Sequence, residues 1–170
     1  MNRATSIKPA GEWPREKAID SVTLTHENRR RRRVRLITDG GQEFLLDLPH
    51  VATLKDGDGL ALDSGEWITI RADNESLAEI TCPNLHRLLR IAWHLGNRHV
   101  PTVVAEDRLL IRNDGIILHM VSQLGGMVRF VELPFYPEGG AYEDAAAGSE
   151  LPSDQKNKSE PHLHNSTHHG

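Results

Sequence analysis

Histidine is the residue type in this chain whose number and spacing predict chemistry. Ten histidines occur in 170 residues, and four of them, His162, His164, His168 and His169, lie in the last nine positions. Imidazole suits nickel, copper and zinc, and closely spaced histidines on one segment can wrap an ion without a preformed cavity. The cluster predicts metal binding without selecting among the three metals. A purification tag and a solvated polar tail are the alternatives.

Two further histidines flank the predicted end of a helix, in the segment Trp93–Pro101 (WHLGNRHVP). One imidazole per chain is a poor metal site, but a two-fold axis near His99 would bring two copies together and make a shared site. His94 is predicted to be exposed, in line with His86, and is included among the candidate metal ligands. An ordinary helix-ending loop with surface histidines is the alternative, and the residues alone favour it. Whether His86, His94 or His119 contacts metal stays open.

A run of five arginines, Arg29–Arg33, is the strongest local charge. Such a run can contact phosphates, which makes a nucleic-acid-binding adaptor an alternative function. On a strand, however, alternate arginines point to opposite faces, and residues 1–76 hold 12 Lys and Arg against 13 Asp and Glu. In addition, Phe130 is the one aromatic residue of the predicted closing strand, whereas RNA-binding sheets need two or three stacking rings. The run is therefore predicted to be a solvated strand face.

Composition narrows the classes of function. The formal net charge is −4 and the pI is near 6.2, which exclude a globally basic protein of the nucleic-acid or membrane-surface type. Cys82 is the single cysteine, so an internal disulfide is excluded and a reducing cytoplasm is expected; its predicted role is burial or capping at a helix start. No apolar run approaches the roughly 18–20 residues of a membrane span. Phosphate-binding, nucleophile-elbow and zinc-protease motifs are missing, so no enzyme is predicted.

Residues 1–76 are predicted to form a small all-β domain, because short apolar or alternating runs are separated by turn residues. The predicted strands are Ile19–Thr25, Val34–Thr38, Glu43–Leu48, Gly59–Leu62 and Trp67–Arg71. No strand is assigned to the polar first 13 residues. After residue 142 the large apolar residues nearly vanish, and residues 143–170 are predicted to be a disordered, histidine-containing tail.

Residues 77–142 show the order β-α-β-β-α-β, which predicts a ferredoxin-like domain and an α+β chain as a whole. The strands are predicted at Leu77–Thr81, Thr102–Ala105, Arg108–Arg112 and Met127–Leu133. Cys82-Pro83 is predicted to open the first helix and Gly96-Asn97 to end it. Spacing assigns its buried face to Leu85, Leu88, Leu89, Ala92 and Leu95. The second helix, Ile116–Leu124, is expected to be capped by Asp114.

Two segments resemble one known family, the urease accessory nickel chaperones of the UreE type. The first is Trp93–Pro101, and the second is Leu133–Tyr142 (LPFYPEGGAY). Weaker similarity covers Arg33–Leu48 and the segment around Asp56-Gly57-Asp58, so that the resemblance spans roughly Ile19–Tyr142. A histidine-rich tail is also common in this family.

The resemblance implies a nickel metallochaperone that delivers nickel to a GTPase of the urease maturation complex and so to the urease active site. It implies an N-terminal domain likened to peptide-binding domains and a homodimer joined through the C-terminal domain. It also implies that His99 of both subunits holds the ion, while the tail histidines add ligands. Nickel is then the cargo, and zinc or copper would be substitutes. A passive nickel or zinc buffer is a further alternative.

One departure from the family pattern concerns the strand that leads into the second helix. Some members carry a His-x-His pair there, whereas this chain has Arg112–Gly115 (RNDG). His119 lies further along and does not match. More of the auxiliary metal binding is therefore expected from the tail.

Overall fold

The computed structural model describes residues 1–140, and Met1–Glu138 form one compact unit. The tail predicted to be disordered, residues 143–170, lies outside the described residues. Two sheets make up the unit, one from each half of the chain, and helices pack on the second sheet. The predicted α+β class is confirmed.

Six strands form the N-terminal sheet, in the order β2-β6-β5-β1-β4-β3. The strands are β1 Asn2–Lys8, β2 Ala18–Leu24, β3 Arg30–Ile37, β4 Glu43–Thr53, β5 Gly59–Leu62 and β6 Trp67–Ala72. A 3-10 turn (Arg15–Lys17) precedes β2, and a four-residue helix, α1 (His26–Arg29), joins β2 to β3. The five predicted strands are all present.

Strand β1 was not predicted from the sequence, although it lies inside the sheet between β4 and β5. Among its seven residues only Ala4 is fully buried, and its neighbours are polar. A strand with a single small core residue leaves no alternation of large apolar side chains to detect. The sequence analysis assigned no strand to the first 13 residues, and this was wrong because Asn2–Lys8 form β1.

The N-terminal sheet curls until its two edge strands approach each other. The Asp39 backbone N–H donates to the Ser21 carbonyl at 2.7 Å, and the Thr23 hydroxyl donates to the Asp39 carboxylate at 2.9 Å. This closure brings inward-facing residues of all strands into one apolar core. Its largest fully buried members are Phe44, Leu46, Leu54, Leu60, Ile68 and Ile70.

The C-terminal half has the predicted β-α-β-β-α-β order. Its elements are β7 Asn74–Thr81, α2 Leu85–Asn97, β8 Val103–Val104, β9 Leu109–Arg112, α3 Gly115–Gln123 and β10 Met127–Pro134. The sheet order β10-β7-β9-β8, with antiparallel pairs, is the 4-1-3-2 arrangement of ferredoxin-like folds. Both helices pack on one face of this sheet, around Ile80, Ile91, Leu95, Ile111 and Val121.

Helix α2 differs from the prediction at its start and on its buried face. Asn84 is the N-cap, and its side chain accepts the Arg87 N–H at 3.0 Å, so the helix begins two residues after Pro83. The core-facing residues are Leu88, Ile91 and Leu95. The assignment of Leu85 and Leu89 to the buried face was wrong, since their exposed fractions are 62% and 59%.

Arg29 corrects the interpretation of the arginine run. It ends α1 and is fully buried, whereas residues 30–33 lie exposed on β3 as predicted. The Arg29 guanidinium donates to the backbone carbonyls of Leu54, at 3.5 Å, and of Phe135, and it lies 4.3 Å from the ring centroid of Tyr136. The Tyr136 hydroxyl in turn accepts the Asp56 N–H at 3.2 Å. Arg29 therefore fastens the segment after β10 to the N-terminal half.

Replacing Arg29 by alanine is expected to lower the free energy of unfolding by about 2–4 kcal/mol, because two buried carbonyls lose their charged donor. Urea denaturation followed by circular dichroism measures the change. The control is Arg31→Ala, since Arg31 is exposed and donates to the nearby Asn28 side chain; a change within about 0.5 kcal/mol is expected there. Equal small losses in both variants would contradict the anchoring role of Arg29.

Candidate metal centre

His99 stands directly after the C-terminus of α2, in a left-handed backbone conformation. The helix ends at Asn97 and Arg98 is its C-cap residue. The His99 N–H then donates to Gly96 O at 3.0 Å, and the Val100 N–H donates to Leu95 O at 3.0 Å. These two bonds define a Schellman motif, whose left-handed position is normally taken by glycine.

Gly96-Asn97 was predicted to end the helix, and α2 does end at Asn97. The left-handed residue is His99, with φ +56°. Within residues 1–140, His99 is the one non-glycine residue with a positive φ. That conformation costs an L-residue of this size about 1–2 kcal/mol. A histidine where glycine would be favoured makes this side chain a candidate functional group.

An open cleft of about 340 Å³ surrounds the exposed His99. Its walls come from the loop after α2 and from the turn between β9 and α3; they are formed by Arg98, His99, Val100, Pro101, Arg112, Asp114 and Ile117. As predicted, Asp114 caps α3, because its Oδ1 accepts the N–H groups of Ile116 at 3.0 Å and Ile117 at 3.3 Å. The C-terminal dipole of α2 and the Asp114 carboxylate favour a cation in the cleft, whereas the two arginines oppose one.

The other predicted site residues are not gathered at this cleft. His94, predicted to be exposed, is half-buried, and its ring meets the Trp93 ring edge-on at 5.1 Å between centroids. His86 and His119 are exposed on α2 and α3. Across residues 1–140, no three His, Cys, Asp or Glu side chains are grouped as a metal site. His162, His164, His168 and His169 lie outside the described residues.

Arg112 reaches from the cleft to a polar cluster between the two sheets. Its Nε lies 3.4 Å from Glu75 Oε1, and its Nη2 donates to His26 Nδ1 at 3.4 Å. Arginine has no acceptor, so His26 must present an unprotonated Nδ1. Burial is the main cause that lowers the pKa of His26, and the Arg112 charge adds to it. The contact with Arg112 and the lowered pKa both favour the neutral form of His26.

Cys82 does not take part in the cleft. It is a half-buried free thiol next to the apolar core under α2. Burial raises its pKa, which disfavours the thiolate that metals bind and that reacts as a nucleophile. The capping role considered for it belongs to Asn84, so the buried structural role remains.

Comparison with known proteins gives the family. The family model described as UreE urease accessory protein, C-terminal domain, matches residues 75–170, and the corresponding N-terminal domain model matches residues 4–73. This chain belongs to the UreE family of urease accessory proteins. Membership confirms the resemblance found in the sequence and the prediction that the chain is an accessory factor rather than an enzyme.

Curated relatives extend over most of this UreE-family chain. The urease accessory protein UreE of Beijerinckia indica is 47% identical over 142 residues, which are 84% of this chain and 82% of the relative. UreE of Chelativorans sp. is 46% identical over 143 residues, covering 84% and 88% of the two chains. UreE of Ruegeria pomeroyi is 47% identical over 136 residues, covering 80% and 88%. Within residues 1–140, no helix is long and apolar enough to cross a membrane.

Helix α2 of this UreE-family protein carries an exposed apolar stripe that was not predicted from the sequence. Leu85, Leu89 and Trp93 follow one another at four-residue spacing, and their exposed fractions are 62%, 59% and 65%. Residues four apart lie on the same side of a helix, so the three form one continuous strip that leads towards His99. The four-residue spacing of Leu85, Leu89 and Trp93 is the sequence signal that could have revealed this stripe, once Leu85 and Leu89 are not counted among the residues that face the core.

Replacing His99 by glycine and by alanine is expected to separate backbone strain from ligand chemistry. Glycine adopts the left-handed turn freely, whereas alanine keeps the strain. The glycine variant is therefore expected to exceed the alanine variant by about 1 kcal/mol in the free energy of unfolding. Urea denaturation of both variants measures this difference. An alanine variant at least as stable as the glycine variant would show that the turn imposes no strain.

His26 makes stability depend on pH. Its pKa in the folded protein lies below that of the unfolded chain, so below neutral pH the unfolded chain binds more protons. The free energy of unfolding is therefore expected to fall as pH drops through about 6.5 and below, and this loss should shrink in His26→Gln. Urea denaturation at pH 7.5 and 5.5 measures it. The same substitution at the exposed His50 is the control and should retain the wild-type pH dependence.

Proposed function

We propose that this protein is a nickel metallochaperone, which binds Ni(II) in the cytoplasm and delivers it to the urease maturation complex. The observation that carries the proposal is the exposed His99 imidazole, held in a strained left-handed turn within the WHLGNRHVP segment. An exposed imidazole at the negative end of a helix is suited to a cation that must enter and leave. The names of the relatives, all urease accessory proteins, support the urease assignment.

A second copy of the chain supplies the other half of the nickel site. One His99 per chain cannot hold the ion, so two copies contribute one imidazole each across a two-fold axis. The stripe of Leu85, Leu89 and Trp93 supports this arrangement, because three large apolar side chains on one helix face are costly to leave in water, and His99 lies two residues beyond the end of this helix. An isologous dimer whose two-fold axis passes near Trp93, at the C-terminal end of the stripe, buries these side chains and brings the two helix ends together.

The remaining coordination positions are filled by exchangeable ligands. Neutral imidazole is the binding form, so protons compete with nickel and binding weakens as the pH falls. Water and the tail histidines His162, His164, His168 and His169 take the other positions, and tethering gives the tail a high effective concentration. A site with few fixed ligands releases its ion by ligand exchange to the next carrier, a GTPase of the maturation complex. The same donors also accept zinc and copper.

The burial of Arg29 weakens the nucleic-acid alternative. Its guanidinium is committed to backbone carbonyls and a ring, so the phosphate-binding run loses its first member. The passive buffer alternative differs from a chaperone in having no transfer partner. It also needs only the tail, whereas the chaperone needs His99.

Nickel titration by calorimetry, with the mass measured by light scattering, tests the proposal. A chain shortened at Glu150 lacks the four tail histidines and is expected to bind one nickel ion per two chains with submillimolar affinity. His99→Ala in that shortened chain should abolish the site, because both imidazoles of the dimer disappear together. The same substitution at the exposed His119 is the matched control and should leave binding unchanged.

A charge on the apolar stripe tests the shared nature of the site without touching a ligand. Leu89→Glu in the shortened chain should yield monomers and lose the nickel site, because the second imidazole departs with the second copy. Nickel binding by monomers, or unchanged binding in the His99 variant, would overturn the interface site. In the second case the full chain is better described as a buffer that uses its tail.

A further inference from the structure

We propose that Arg112 is a positioning residue for the cation site at His99. The N-terminal half is called seated when His26 of α1 contacts Arg112, and we infer that this contact sets how tightly the site binds a cation. The inference rests on the proposed function of His99 as a nickel ligand. Arg112 lines the His99 cleft and also contacts α1 of the N-terminal half. This one side chain therefore lies both at the cleft and at the junction between the two sheets.

On the junction side, groups from three segments hold the guanidinium. Glu75, at the start of β7, lies 3.4 Å from Arg112 Nε, and its side chain is only 13% exposed. His26 of α1 accepts from Nη2 at 3.4 Å, and the Phe135 ring lies below the guanidinium with its centroid 5.0 Å from Cζ. The charge is thus partly neutralised by Glu75, and the guanidinium is held in place.

The same carboxylate also binds the N-terminal half. Glu75 Oε2 accepts the backbone N–H of His26 at 3.0 Å, so one buried side chain links Arg112 to α1. The His26 ring meets the Phe135 ring edge-on at 5.6 Å, and Arg29 binds the Phe135 carbonyl. If the N-terminal half moves away, Arg112 loses His26, and Phe135 loses Arg29. The Glu75–Arg112 pair then becomes an exposed ion pair, which holds its partners weakly.

A guanidinium freed in this way brings a full positive charge to a site that must hold a cation. Arginine keeps its charge at all working pH values, so it cannot relieve the repulsion by losing a proton. One unit charge several ångströms away, in partly screened surroundings, weakens cation binding roughly three- to tenfold. By linkage, nickel at His99 stabilises the seated N-terminal half, and a partner that pulls this half away lowers nickel affinity. The carrier thereby holds its ion in transit and loosens it on docking.

The test is a double-substitution cycle on nickel affinity in the chain shortened at Glu150. Glu75→Gln should weaken the His99 site roughly three- to tenfold when Arg112 is present, and by less than about twofold when Arg112 is already Gln. Arg112→Gln alone should bind nickel at least as tightly as the unsubstituted shortened chain. Equal effects of Glu75→Gln in both backgrounds would mean that Glu75 acts only as a distant charge, and would overturn the inference.

Glu79→Gln is the matched control, because Glu79 lies on the same strand and is equally enclosed. Its carboxylate pairs with Arg129 at 3.0 Å and Arg108 at 3.3 Å, and it neither lines the cleft nor joins the bonds to α1. The control should change nickel affinity less than twofold. A loss as large as that of Glu75→Gln would reduce the effect to a general disturbance of β7 and would also overturn the inference.

Hydrogen exchange provides the reciprocal readout, which a merely structural Arg112 would not change. Nickel should slow exchange in the peptide that contains His26 when Arg112 is present, and should leave it unchanged in Arg112→Gln. If nickel protects this peptide equally in both, Arg112 is not the link. If His99→Ala binds nickel like the parent shortened chain, the proposed function fails and this inference fails with it. If the His99 site is real but the cycle shows no coupling, only the inference fails.

Discussion

A single buried guanidinium unites the two halves of this protein. Arg29 satisfies the Leu54 carbonyl on one side and the Phe135 carbonyl on the other, and Tyr136 covers its face. An unpaired charge in the protein interior is costly, so these contacts stabilise the buried position of Arg29. The seating of the C-terminal half, and with it the junction beside the His99 cleft, depends on this anchor. An arginine run that first suggested nucleic acid therefore begins with the residue that organises the fold.

The architecture was largely predictable, because each half has a hydrophobic period of its own. Alternation in the first half and helical spacing in the second gave the α+β class, five of the six N-terminal strands and the ferredoxin-like order. The wrong predictions have one physical cause. Whether a side chain is buried depends on which other elements pack against it, and the spacing of apolar residues along the sequence does not give that information. Strand β1 buries only Ala4, and α2 turns Leu88 and Ile91 to the core while Leu89 faces water. Arg29 is the same case for a charged residue.

The candidate site was predictable in identity but not in geometry. The motif around His99 indicated both the residue and the family. Its left-handed turn could not be predicted, because glycine usually takes that position at a helix end and Gly96 lies close by. A glycine at the turn would ease the backbone but offer no ligand; a histidine offers the ligand at the cost of strain. The missing His-x-His pair is informative as well. In its place Arg112 and Asp114 form the wall of the cleft, one opposing a cation and the other favouring it.

A carrier must bind its ion tightly enough to collect it and weakly enough to give it up, and a site of fixed strength meets only one of these demands. Placing a permanently charged side chain between the site and the junction of the two halves resolves the conflict, because the same contacts that seat the N-terminal half also help Glu75 to neutralise that charge. Glu75 links the two sides of this arrangement. One of its carboxylate oxygens pairs with Arg112, and the other accepts the backbone N–H of His26. The strength of the cation site then follows the seating of the fold, and release requires no change in the ligands themselves.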